Sequence, residues 1–272
     1  MSTSSASSLG AWGDLRPGRF GQALHLLVAA GAGRGKAKKL LEHIWRRRCG
    51  DQPVDVVVRG VKYRLDFRDN TPARKVLFGS LYDARELKCL RQANRAGGVF
   101  VDIGANIGYY TLDLASHGAR VIAIEPNPIA YARLQFNIEA NDLGETVAAI
   151  PYCVAEPGQH KLTFRGSLGT GSLIALHGEG TEMMVTGETL LNILTKQRVD
   201  RVASLKIDIE GTEDQALVPF FETAPQSLWP QCAVVEHSNR SVWKTDLLEL
   251  MIDSGYEIIC RKRANTILRR CS

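Results

Sequence analysis

Two short stretches of this chain carry side chains at a spacing that can do chemistry. "SLKIDIEG" (204–211) places Lys206, Asp208 and Glu210 at every second position, and a strand projects alternate residues to one face. "CAVVEH" (232–237) is an apolar run that ends in Glu236 and His237. Carboxylates and imidazoles are the usual proton carriers, and His has an ordinary pKa close to working pH. Four polar groups at neighbouring strand ends suit a base with an orienting partner. They equally suit a small cation site, in which Asp208, Glu210 and Glu236 would offer hard oxygen ligands to Mg²⁺. His237 and Asp208 are the candidates for the base, with Glu210 beside them. Plainer roles are open to two of these residues: Lys206 can simply pair with Asp208, and His237 can cap the loop "SNRSVW".

A third stretch, "VFVDIGANIGYYTLDLA" (99–115), reads as a strand, a glycine turn and a helix, the usual seat of a nucleotide-type ligand. It does not match the dinucleotide pattern G-x-G-x-x-G. From Gly104, the third position is Asn106 and the sixth is Tyr109. The pattern is instead Asp102-x-Gly104-x-Asn106-x-Gly108. Glycines let the backbone approach a ligand closely, and Asn tolerates the left-handed conformation. The second strand, "VIAIEPN", ends in Glu125, 21 residues beyond Gly104. An acid there can accept hydrogen bonds from both ribose hydroxyls of an adenosine and would repel a 2′-phosphate. Pro126 follows, and Asn127-Pro128 supplies an N-cap and a first helical residue. A nucleoside that lacks a pyrophosphate fits this loop, and S-adenosylmethionine is such a ligand. Asp102 would then meet its cationic amino group. The cofactor set is Asp102, Gly104, Asn106, Gly108, Tyr109, Glu125, Pro126 and Asn127.

These residues need a scaffold, and the pattern from Val99 onward supplies one. Six β-rich runs appear ("VFVDIG", "RVIAIEP", "VAAIPYCVA", "SLKIDIEG", "CAVVEH", "YEIICRK"), most of them separated by helical stretches. Near-continuous apolar strands alternating with helices predict an α/β doubly wound, mostly parallel sheet buried on both faces. Ligands then sit at the carboxyl ends of its strands. A Gly-, Thr- and Ser-rich insertion at about 158–187 interrupts the alternation and reads as extra strands and a loop, placed to act as a substrate lid. Residues 53–98 read as a β-hairpin or bent strand (Val54 to Phe67), followed by a helix "DARELKCLRQAN" with Asp83 as N-cap and Gly97-Gly98 as its stop. Residues 1–52 read as a small polar tail followed by helix from about Phe20 to Arg48. Its end carries Arg34, Lys36, Lys38, Lys39 and Arg46–Arg48 against one acid, Glu42, with Leu40, Leu41, Ile44 and Trp45 at helical spacing.

"FVDIGANIGYYTL", "VIAIEPNP", "LKIDIEGTE" and "VVEH", in that order and spacing, resemble the FkbM-type family of S-adenosylmethionine-dependent methyltransferases over roughly Val54 to Lys262. The resemblance implies a Rossmann-like class I methyltransferase sheet of seven strands whose last strand is antiparallel. It also implies methyl transfer, typically to a hydroxyl of a sugar or other natural product. "MMVTGETLLNIL" fits the family's strand and helix before the fourth strand, with Gly187-Glu188 where Thr or Asp is commoner. Methyl transfer is an in-line displacement that depends on aligning the nucleophile and excluding water, worth on the order of 7–11 kcal/mol. An alcohol nucleophile also needs a base.

The composition of the 272-residue chain is that of a globular enzyme, 44% hydrophobic and 23% charged, with a net charge of +5. That charge permits an anionic partner without requiring one. The run after "DIEG" lacks the Asn/Asp-Pro-Pro-aromatic motif of enzymes that methylate base amines, so no nucleic acid is expected; the resemblance implies a small molecule or saccharide as acceptor. "GAGRGK" is not a phosphate loop, since Ala30 and Ala37 stand where Gly and Ser or Thr are required. Six scattered cysteines, without a C-x-x-C pair, read as free thiols in a reducing, cytoplasmic setting. "ALHLLVAAGAG" is interrupted by His25 and is too short to span a bilayer, which argues against a signal or membrane segment. Two rival readings stay open: an NAD-dependent oxidoreductase on a similar sheet, and a non-catalytic protein that tethers to anionic surfaces. The basic helix also offers a peripheral membrane contact.

Overall fold

The computed structural model describes residues 9–28, 36–50, 52–66, 71–78, 83–164, 171–172 and 181–271. The polar N-terminal tail, except Leu9 and Gly10, and most of the Gly-rich part of the insertion lie outside these residues. The helical segment expected from Phe20 to Arg48 is two helices, α1 (Arg19–Leu27) and α2 (Lys36–Cys49). The hairpin forms as β1 (Val54–Val58) and β2 (Val61–Leu65), paired antiparallel. Arg59 (φ 53°) and Gly60 (φ 82°) at its turn are both left-handed, the geometry that matches the twist of a tight hairpin. Two helices follow, α3 (Thr71–Phe78) and α4 (Ala84–Asn94).

The alternating part runs β3 (Val99–Ile103), α5 (Tyr109–Ser116), β4 (Arg120–Ile124), α6 (Pro128–Ala140) and β5 (Val147–Ile150). After β6 (Tyr152–Val154), the insertion adds β7 (Gly158–Phe164), β8 (Gly171–Ser172) and β9 (Thr181–Glu188). The chain then returns through α7 (Leu190–Lys196), β10 (Val202–Ile207), α8 (Glu213–Thr223), β11 (Cys232–Glu236), α9 (Leu247–Asp253), β12 (Tyr256–Arg261) and β13 (Asn265–Arg270). The central sheet has seven strands in the order β12-β13-β11-β10-β3-β4-β5. Only β13, the last, runs antiparallel to its neighbours. This is the doubly wound, mostly parallel sheet expected. Strand order reverses between β3 and β10, so the ligand crevice opens at their carboxyl ends.

Strand alternation divides the core into two layers. Val99, Val101 and Ile103 of β3 pack with Leu205 and Ile207 of β10 under α7, α8 and α9. Phe100 faces the other way, among α4, α5, α6 and the hairpin, where Trp45, Tyr63, Leu87 and Leu112 are buried in the same cluster. The N-terminal elements therefore share their apolar surface with the central sheet.

Three local expectations change. "VAAIPYCVA" is two strands, because Pro151 has no N–H to continue the ladder; β5 joins the central sheet, whereas β6 pairs with β9 in a separate sheet ordered β6-β9-β7-β8. Asp83 precedes α4 with φ 49° and makes no capping bond; its carboxylate instead accepts from the Tyr110 hydroxyl at 2.6 Å. β13 is not among the six apolar runs, since "NTILRR" mixes polar and apolar residues. Elsewhere the expected caps form. Asn127 accepts from the Ile129 and Ala130 amides ahead of Pro128, and Gly187 is explained by crowding, because a Cβ there would lie 2.4 Å from His160.

The hairpin is held by polar groups on its flank. Asn137 of α6 accepts from Arg64 N, and Asn141 both accepts from Lys62 N and donates to Lys62 O, all at 2.8 Å, so helix side chains satisfy an edge where no strand pairs. The Arg64 guanidinium, 2% exposed, grips Asp55 through two bonds of 2.7 Å and also donates to the Ala11 carbonyl. Asp55 in turn accepts from the Gly13 and Leu15 amides. Removing one member leaves a buried charge unpaired, which costs about 3–5 kcal/mol. Arg64→Leu is expected to lower the unfolding free energy by that amount in urea titration; a loss below about 1 kcal/mol would show that the pair does not anchor the N-terminal segment.

Candidate active site

The glycine loop is shaped by one carboxylate. Glu125, just past the end of β4 and 6% exposed, accepts from Asn106 N with one oxygen and from Asn127 N with the other, both at 2.8 Å. It thus ties the turn after β3 to the start of α6. The turn bends through three left-handed residues, Gly104 (φ 80°), Asn106 (φ 51°) and Gly108 (φ 95°), and the Asn106 side chain accepts from Ile107 N. Gly104 and Ala105 both donate to Ile124 O. Glycine is required at 104, because a Cβ there would lie 2.1 Å from the Asp208 carbonyl. The loop after β3 and the end of β10 are therefore in contact. Each Glu125 oxygen keeps a second lone pair for a ligand hydroxyl.

Beside this loop lies an uncharged slot. Gly104 and Pro126 border it, with Ile124, Tyr152, Leu162 and Ile209 among its lining. Tyr152 of β6 and Leu162 of β7 belong to the small sheet, which therefore walls this slot. A flat apolar ring suits such a lining.

On the opposite face of the sheet, Lys206 is level with Asp102 on β3 and with Val234 on β11, so their side chains share one face. Lys206 is 2% exposed; its ammonium lies 3.2 Å from Asp208 Oδ2 and 5.4 Å from the centre of the Tyr110 ring. Asp102, also 2% exposed, accepts from Thr111 Oγ1 at 2.6 Å, and burial pushes its carboxyl up to about 6. Burial also raises Glu125, to about 7. β10 ends at Ile207, and the chain turns at Glu210 (φ 57°) and Gly211 (φ 100°). Glu210 therefore leaves the strand alternation and bonds Asn239 Nδ2 at 3.2 Å. Desolvation, followed by the charges of Asp208, Glu236 and Glu213, lifts Glu210 to about 7.

Glu213 holds this turn. It accepts from the Ile209 and Gly211 amides and from the Trp243 indole at 2.8 Å. Glu236 is 7% exposed; one oxygen accepts from Ser238 N, and the other is buried without a partner. His237 Nε2 is likewise buried without a partner, while its backbone joins Ala264 and Arg240. The imidazole thus makes no capping bond to the following loop.

The structure brings Gly104, Asn106, Glu125 and Asn127 together through the Glu125 bridges, and sets Pro126 on the slot. Asp102 lies beneath, bound to α5. Tyr109 points elsewhere: its hydroxyl bonds Arg59 of the hairpin, and burial pushes it up. Its neighbour Tyr110 is the one between Asp83 and Lys206, a choice that no local pattern in "GYYT" distinguishes. Asp208, Glu210, Glu236 and His237 gather at adjacent strand ends. Among the described residues, no three His, Cys, Asp or Glu side chains converge to hold a metal ion, so the Mg²⁺ arrangement of Asp208, Glu210 and Glu236 is not assembled. The bonds from Asn239 to Glu210 and from Trp243 to Glu213 join residues about thirty positions apart, so no local pattern marks Glu213 and Asn239 as partners. Glu213 did carry one signal, its place in "DIEGTE".

A doubly wound sheet with its last strand antiparallel, and an acid-pinned glycine loop in place of a diphosphate loop, define a Rossmann-like methyltransferase. The FkbM methyltransferase domain matches residues 102–258, more than half of the chain, and the chain belongs to that family. This membership sets aside the hydride-transfer alternative. No curated protein matches the sequence. Similar solved structures include the human methyltransferase 10 domain containing protein (12% identity, 91% of this chain and 94% of that one, TM-score 0.47). The METTL16 methyltransferase domain has 11% identity over 91% and 78%, with a TM-score of 0.48. Sp1610 of Streptococcus pneumoniae, solved in complex with S-adenosyl-L-methionine, has 14% identity over 69% and 74%, with a TM-score of 0.42. Likeness at this level assigns no activity.

Asp102, Glu125 and Glu210 each have a folded pKa above the unfolded one. Their neutral forms stabilise the fold, fully below about pH 4, and that stability is lost as pH rises through 6 to 7. The cofactor-free protein should therefore lose thermal stability between about pH 5 and 7.5. Glu210→Gln, which fixes an uncharged side chain, should flatten part of that decline. A Tm profile parallel to the wild type would mean that Glu210 is already ionised at the acid end.

Proposed function

We propose that this protein is an S-adenosylmethionine-dependent O-methyltransferase whose acceptor is a hydroxyl of a small molecule or saccharide. The observation that carries this reading is the pair of buried polar atoms without partners, Glu236 Oε2 and His237 Nε2, at strand ends next to Asp208 and the cofactor loop. Buried polar atoms without partners call for a ligand rich in O–H groups, which can donate to a carboxylate oxygen and either donate to or accept from an imidazole nitrogen. Four carboxylates, Asp208, Glu210, Glu213 and Glu236, surround the same place and would repel a phosphate backbone. This supports a polyhydroxylated acceptor over nucleic acid.

The residues fit the cofactor. The uncharged slot beside Gly104 and Pro126 suits an adenine ring, and Glu125 has a lone pair on each oxygen for the ribose hydroxyls. Bound S-adenosylmethionine supplies the methyl group on a sulfonium leaving group. Asp208, with its side chain 40% exposed, accepts the O–H of the acceptor and receives the proton as the new C–O bond forms. The Lys206 ammonium at 3.2 Å orients that carboxylate. Glu210, near 7, can hold the proton afterwards at neutral pH. Glu236 and His237 hold neighbouring hydroxyls and so fix the attack angle. The six unpaired cysteines support a reducing, cytoplasmic setting.

Calorimetry and turnover divide the roles. Glu125→Ala should weaken S-adenosylhomocysteine binding at least about tenfold, because bonds to a charged group are lost and the loop is released. Asp208→Asn should leave that affinity within about threefold and reduce turnover by about 10²–10⁴. Normal turnover of the Asp208 variant would assign the base elsewhere. With labelled methyl donor and a panel of hydroxylated acceptors, a methyl ether is the expected product; transfer to an RNA amine in its place would overturn the O-methylation reading.

A further inference from the structure

The N-terminal helix pair has an apolar surface on its solvent side. Gly21 and Leu24 of α1 are buried, as is Val28 just past its end, and His25 Nε2 donates to Val57 O at 2.8 Å, which fixes the face turned to the hairpin. The other face carries the polar residues Arg19 and Gln22 but is mostly apolar. Phe20 (51% exposed), Ala23, Leu26 (67%) and Leu27 (55%) form a second apolar stripe pointing away from the protein. A helix that is apolar on opposite faces needs a second apolar surface. In α2, Trp45 is buried against Phe78 while Leu40 is 60% exposed.

Cations share this surface. Lys39, Arg46, Arg47 and Arg48 of α2 are exposed, and the Arg48 guanidinium sits 5.9 Å from the centre of the Phe20 ring. Between Leu26 and Leu40 the sequence has four basic residues, Arg34, Lys36, Lys38 and Lys39, and no acid. We infer that α1 and α2 form an interfacial element that docks the protein on an anionic lipid bilayer, with Phe20, Leu26, Leu27 and Leu40 in the acyl boundary and the basic side chains among the headgroups. Charge and apolarity together select this occupant. RNA would satisfy the arginines and leave the leucines in water. A second copy would set one basic row against another. A bilayer with acidic headgroups satisfies both sets of side chains. The inference is independent of the reaction performed at the strand ends.

Co-sedimentation of the full chain with phosphatidylcholine vesicles, with and without phosphatidylglycerol, tests it. Binding is expected only when the acidic lipid is present. Leu26→Gln/Leu27→Gln should weaken it about tenfold or more, and Arg47→Gln about fivefold, the effect of about one basic contact at a charged surface. Both variants alter exposed positions and should keep wild-type S-adenosylhomocysteine affinity, which certifies the fold. Three results would overturn the inference: no preference for acidic vesicles; full binding by the leucine variant, which would mean that charge alone acts, as on RNA; or a dimer in light scattering that the leucine variant abolishes, which would assign the face to a second copy.

Discussion

The geometry of the cofactor side rests on the Glu125 carboxylate and its two backbone donors. Loops that turn through left-handed residues are costly to hold in one conformation, and this one has three of them between Gly104 and Gly108. By accepting from Asn106 N and Asn127 N together, Glu125 links the first strand's turn to the second strand's helix. The arrangement depends on burial. In a low-dielectric setting the two bonds are strong, but the same setting disfavours the charge and lifts the carboxyl to about 7. A donor ligand arriving at the free lone pairs would favour the ionised form, so ligand binding and the charge of Glu125 are coupled.

A similar tension shapes the other side of the sheet. Lys206 is buried with Asp208 beside it and Asp102 level with it across the strand. Around this one ammonium the strand ends collect more carboxylates than it can neutralise, and Glu210 is raised first by its burial and then by those charges. Glu213 spends its oxygens on the turn after β10, which keeps that turn closed enough for Asp208 to meet the glycine loop. The site is thus built from groups that destabilise one another when empty, as expected where polar chemistry is placed at strand ends.

Much of this was legible locally. Near-continuous apolar runs alternating with helices are enough to define a doubly wound sheet, because such strands must be covered on both faces. The spacing of Asp102, Gly104, Asn106, Gly108 and Glu125 located the loop, and Asn127 with Pro128 located the helix start, since caps and turns depend on nearest neighbours. The segment around Arg59-Gly60 was readable as a hairpin or a bent strand for the same reason, and the antiparallel pairing of β1 with β2 makes it a hairpin. Asp83 does not cap its helix because Tyr110, distant in sequence, draws its carboxylate away. Likewise Tyr109 and Tyr110 differ only in which one faces Lys206 and which one faces Arg59.

The sequence by itself determined the kind of fold, the class of ligand loop and the two strand ends that carry acids, because periodicity and short motifs encode local geometry. Only the tertiary structure decided that Glu125 braces the loop from both oxygens, that the small sheet walls the slot beside it, and that Glu210 turns out of the strand toward Asn239. It also decided that the leucines of α1 face outward beside the arginines of α2. Each of these depends on which distant segments pack together, and burial and hydrogen-bond partners are properties of that packing.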